Sequence, residues 1–129
     1  MNTKAILTVI GVIFGLQAIG IFVGAESISK EAFAALNPDE TGIQISTMLH
    51  QSMGVMCLMV SIILLFARDL EPAAGSKVLM GASIGLLVTV GQGLFHMFTT
   101  PVAPPMPILL VTTALAVLGL VTAIKAREG

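Results

Sequence analysis

Four long stretches without a single ionised side chain divide this chain, and they leave almost nothing for a water-soluble module. Residues 5–25, 43–67, 78–98 and 106–124 contain no Asp, Glu, Lys or Arg, and each runs for roughly 19–25 residues. At about 1.5 Å per residue, a helix of that length crosses a hydrocarbon core of about 30 Å. In lipid, every backbone N–H and C=O has to be satisfied within its own segment, so runs of this kind read as transmembrane helices. The expected fold is all-α: an integral membrane four-helix bundle with a lipid bilayer as its first partner.

Only 10% of the 129 residues are charged, against about 25% in soluble domains. One transmembrane domain over residues 1–129 accounts for the whole sequence. A net charge of −1 excludes the basic surface that tracks nucleic-acid phosphates, so no nucleic-acid partner is expected. Cys57 is the sole cysteine and forms no intrachain disulfide. Lys4, the apolar run after it and Val23-Gly24-Ala25 imitate a secretory signal. The run is about 20 residues, longer than a signal core of about 7–15, and is expected to remain as the first helix.

The basic residues give an orientation. Lys4 precedes the first run, Arg68 and Lys77 flank the second connection, and Lys125 and Arg127 follow the last run. Only Lys30 falls in the first connection, beside Glu26, Glu31, Asp39 and Glu40. This asymmetry predicts both termini on the cytoplasmic side.

Helices are expected at about 5–25, 39–67, 77–98 and 105–125, with a short outer amphipathic helix at about 28–36. Ser27 or Ser29 is a candidate cap for that short helix. Asn37-Pro38-Asp39-Glu40 reads as the start of the second long helix, with Asn37 as N-cap, Pro38 at the first helical position and Glu40 three residues after the cap. Residues 68–76, with Pro72 and Gly75, read as a turn, and the proline-dense stretch 99–107 as a stiff extended strap. Small residues at four-residue spacing (Gly11 and Gly15, Gly20 and Gly24, Gly81 and Gly85, Gly119 and Ala123) are expected at helix contacts, because lipid gives little hydrophobic drive for association.

The polar residues inside the runs are few and ordered. Thr47, His50, Gln51, Gly54, Cys57 and Ser61 recur at three- and four-residue steps, which places them on one face of the second helix. Thr89, Gln92 and His96 do the same on the third. Gln17, His50, Gln92 and Thr112 each lie about six or seven residues from the outer end, roughly 10 Å deep, with Thr47 and His96 just above. Buried amides and imidazoles in lipid are costly unless paired, so these groups are expected to face one another.

Two readings stay open: interhelical hydrogen bonding, and a polar site opening outward formed by Gln17, Thr47, His50, Gln51, Gln92, His96 and Thr112. A metal, if held, would fall to His50 and His96. Those two suggest haem b, copper would draw also on Met48, Met53 and Met97, and a quinone head group would bond to His50 and Gln92. No carboxylate, nucleophile–base pair or zinc spacing lies within the runs, so no catalytic residue is expected.

The topology of four helices with both ends inside, an amphipathic first outer loop and a His near the outer end of helix two resembles small bacterial membrane proteins of the DoxX-like type. The stretch Leu49-His50-Gln51-Ser52-Met53-Gly54-Val55, followed by an apolar run to Ala67-Arg68, carries the likeness. The resemblance implies this fold and a quinone-linked accessory role. From the residues, the expected function is that of a non-enzymatic integral membrane protein, either a homo-oligomer or an accessory subunit of a larger membrane complex. A ligand-binding or electron-transfer protein built on the His/Gln layer is the alternative.

Overall fold

Asn2 and Asp39 set where the first two helices begin. In the computed structural model, which describes residues 2–102 and 105–128, the Asn2 side chain accepts from the Lys4 N–H and caps α1, Thr3–Ala32. Asp39 accepts from the Gly42 N–H at 2.7 Å and caps α2, Glu40–Ala67. Each carboxylate or amide oxygen satisfies an N–H that the first turn leaves without a partner. The helix start expected at Asn37 thus falls two residues later. Asn37 instead has a left-handed backbone with φ 45°, a conformation Asn tolerates better than most residues, and it closes a 3-10 turn over Ala34–Leu36. The short outer helix expected at 28–36 is not a separate element: α1 runs unbroken through that region to Ala32, and only the 3-10 turn follows it.

The second connection is shorter than the sequence suggests. Pro72 opens α3, Pro72–Thr99, at a position where its missing N–H costs nothing and its fixed φ already suits a helix. The remaining turn is tied back to α1, with the Lys4 ammonium donating to the Asp69 carboxylate at 2.7 Å. α4 spans Met106–Glu128. Before it, Thr100 is extended and its hydroxyl bonds to Val102. Residues 103 and 104 of the expected strap lie outside the described residues.

The four helices pack as two hairpins. α1 lies along α2 and α3 along α4, while α2 scarcely meets α3. Small residues allow the first pairing. Ser61 of α2 donates to the Gly11 carbonyl of α1 at 2.7 Å. A Cβ on Gly54 would stand 3.0 Å from the Ala18 carbonyl oxygen, so the backbones approach closely there. In the second hairpin, Gly119 of α4 leaves room for Ser83 of α3. Among the described residues a Cβ on Gly20, Gly81 or Gly85 would meet nothing within 4 Å, and one on Gly24 only Ile28 of its own helix, so those expected contacts between helices are not made.

What joins the hairpins is a cluster at the end carrying the chain termini: Ile6, Leu7 and Ile10 of α1, Leu64 of α2, Leu79 and Leu86 of α3, and Leu115, Ala116 and Ala123 of α4. Leu7 and Leu79 are fully enclosed. Away from this cluster large side chains point outward, with Val23 and Phe66 each 80% exposed and Phe98 86%. All four helices are long and apolar enough to cross a membrane.

Candidate functional site

Because the shared core occupies only the terminal end, the hairpins leave a cleft of about 710 Å³ between them toward the other end. That volume lies in the range of sites for small ligands and cofactors. Its floor reaches Ile10, Leu64 and Leu86, and its walls are mostly apolar. Gln17, His50, Gln92 and Thr112, the residues expected at one depth on four different helices, all line it, and so does His96. Thr47 and Gln51 do not. Thr47 bonds to the Ile43 carbonyl and lies on a separate shallow surface depression with Glu26 and Lys30.

The face of α2 that looked uniformly polar is in fact two adjoining stripes. Ser46, Gly54 and Ser61 are buried and turn to α1. His50, Met53 and Cys57 turn to the cleft. At about 100° per residue a single polar stripe of this width necessarily straddles two neighbours.

The polar residues of the cleft do not pair with one another. Thr112 returns its hydroxyl to the Ile108 carbonyl, which is how threonine commonly satisfies itself within a helix. Among the described residues no side-chain hydrogen bond is formed by Gln17, Gln92 or His96, although no buried polar side-chain atom lacks a partner. Their polar ends therefore reach open space rather than each other. His50 is the exception, and its partners are two residues that sequence reasoning overlooked. Ser29 of α1 and Ser46 of α2 are both buried, and Nδ1 of His50 lies 3.1 Å from the Ser29 hydroxyl, 3.3 Å from the Ser46 hydroxyl and 2.9 Å from the Ser46 carbonyl oxygen. The signal available was the spacing of Ser46 one turn before His50; Ser29 carried none without knowledge of which helix lies opposite.

The lining contains no Lys, Arg, Asp or Glu. Haem propionates would find no cation there. His50 and Cys57 are seven residues apart on one helix, about 10 Å along its axis, too far to share an ion. Among the described residues no three of His, Cys, Asp and Glu gather to hold one. The arrangement suits an uncharged molecule with a polar head and an apolar body. No protein-family model, curated protein or solved structure matches this chain.

Proposed function

We propose that this chain is a multi-pass membrane protein, seated in a bacterial inner membrane with both termini cytoplasmic, that binds an uncharged amphiphile in the cleft between its hairpins without catalysing a reaction. The observation that carries the reading is the unpaired state of Gln17 and Gln92, among the described residues, in a mostly apolar cleft. Amides retained only to join helices would be bonded across the seam, whereas amides serving a ligand wait for it. A quinone or its reduced quinol belongs to this class of ligand, in keeping with the DoxX-like resemblance. Haem b and copper fit the lining less well, for want of a cation and of clustered donors.

The test is to purify the protein in mild detergent, record its absorption spectrum and metal content, and extract it for mass analysis. A colourless, metal-free protein carrying a near-stoichiometric lipophilic molecule, lost in His50→Ala, is the expected result. A Soret band or stoichiometric copper would overturn the proposal.

A second reading, that of a homo-oligomer or an accessory subunit, is favoured by a separate feature. Met48, Ser52, Met56, Met59, Ile63 and Phe66 form an exposed stripe on α2, the helix with the least of its apolar run buried. The mass of the detergent-solubilised particle decides it: a monomer in every mild detergent excludes the homo-oligomer.

A further inference from the structure

The hydrogen-bond arrangement around His50 goes beyond placing a polar group in the cleft, because it determines which ring nitrogen carries the proton. Ser29 donates its hydroxyl proton to the Ala25 carbonyl at 2.8 Å. Ser46 donates its own to the Ser29 oxygen at 2.9 Å. In this arrangement both serine oxygens meet Nδ1 as acceptors, at 3.1 and 3.3 Å. The third neighbour of Nδ1, the Ser46 carbonyl oxygen at 2.9 Å, has no proton at all. A nitrogen lone pair held at that distance from a carbonyl lone pair would be repelled, so Nδ1 has to be the N–H.

In the uncharged ring the proton cannot also sit on Nε2, which is then an acceptor only. Nε2 has no partner among the described residues, and His50 lines the cleft. The Phe33 ring, just past the end of α1, meets the imidazole in a T-shaped arrangement with centroids 6.4 Å apart.

We infer that Ser29 and Ser46 lock His50 into the tautomer that presents a bare Nε2 to the cleft, and that the site therefore selects a hydroxyl head group on an apolar body over a carbonyl or ether of the same shape. This rests on the proposed cleft binding and names the ligand class more narrowly. A hydroxyl uses both kinds of group the cleft provides: it donates to Nε2 and accepts from the amide N–H of Gln92 or Gln17. A carbonyl or ether oxygen accepts from the amides but leaves Nε2 facing another lone pair. Phenols and aliphatic alcohols share this chemistry, and the test separates them.

The experiment uses full-length protein with ¹⁵N-labelled histidine in detergent micelles. The chain has two histidines, and the His50→Gln spectrum separates the His50 resonances from those of His96. Para-dodecylphenol, its methyl ether, dodecanol and dodecanal are titrated in turn. The expected result is a protonated Nδ1 and unprotonated Nε2 in the free protein. The phenol or the alcohol should then shift Nε2 and bind about tenfold or more tighter than its ether or aldehyde counterpart, the value of one hydrogen bond lost at a desolvated site. A free protein with the proton on Nε2 overturns the inference, whatever binds. Equal binding of donor and non-donor probes overturns it while leaving the cleft as a binding site. Failure of every probe to bind removes the cleft reading and this inference together.

Discussion

The hydroxyls of Ser29 and Ser46 meet at 2.9 Å across the α1–α2 seam, and with His50 they form a polar cluster that joins two helices at the level of the cleft. Replacing Ser29 with Ala deprives the Ser46 hydroxyl of its acceptor and Nδ1 of one of its neighbours. The loss of one buried interhelical bond is expected to destabilise the fold by about 1 kcal/mol. Thermal unfolding in detergent measures this, and an unchanged midpoint would show that the cluster contributes nothing to stability.

Two glycines inside the helices, Gly54 and Gly81, should respond oppositely to alanine. At Gly54 the added Cβ meets the Ala18 oxygen at 3.0 Å and the Phe22 nitrogen at 3.2 Å, backbone atoms that cannot rotate aside. Gly54→Ala should cost about 1–3 kcal/mol as an overpacking change. Gly81 faces nothing within 4 Å, and Gly81→Ala should be neutral or stabilise by up to about 1 kcal/mol through helix propensity. Denaturation of the two variants side by side reads the difference. Destabilisation by Gly81→Ala would indicate that a second chain packs there.

Cys57 offers a probe of the cleft, since it is the sole cysteine and lies below His50 on the same wall. An apolar maleimide should modify it in micelles, and a bound amphiphile should slow that modification several-fold. Labelling at the same rate with and without saturating dodecylphenol would place the probe somewhere other than the cleft.

The Lys4–Asp69 pair gives a pH dependence of known sign. The hydrogen bond from Lys4 holds the Asp69 carboxyl below its ordinary value. A carboxylate whose folded value is depressed stabilises the fold above the unfolded value, and that contribution disappears as pH falls through the lower, folded one. Both partners are well exposed, so the effect is small and weakened by salt. Asp69→Asn should abolish it, leaving an acid unfolding profile flatter than that of the unaltered protein over the same range.

The helices were legible in the sequence because absence of charge over twenty residues has only one inexpensive backbone solution. Their ends were less so. Asn37 and Asp39 are both good caps by type, and only the backbone at Asn37, left-handed where a cap is extended, separates them. Pro72 could have closed a turn or opened a helix, and the Lys4–Asp69 tie favours the second by shortening the turn. The depth of Gln17, His50, Gln92 and Thr112 could be counted along each run, and counting brought together four residues that do line one cleft. What could not be counted was azimuth. Whether Gln51 or Ser46 accompanies His50 depends on which helix stands opposite, and a single run does not contain that information. The same gap concealed the role of Ser29, which reads by its spacing as a candidate cap and whose place opposite His50 only the packing of α1 on α2 reveals.

All the tight packing between hairpins lies at one end, which gives the bundle the mechanics of a lever with its fulcrum at Ile10, Leu79 and Leu115. From Leu79 to His96 the arm of α3 extends about 25 Å, so a tilt of about 2° at the fulcrum displaces the rim by about 1 Å. Trimming a fulcrum side chain such as Leu79 would therefore alter the gape of the cleft without touching any residue that lines it. The width of the mouth is governed from the floor.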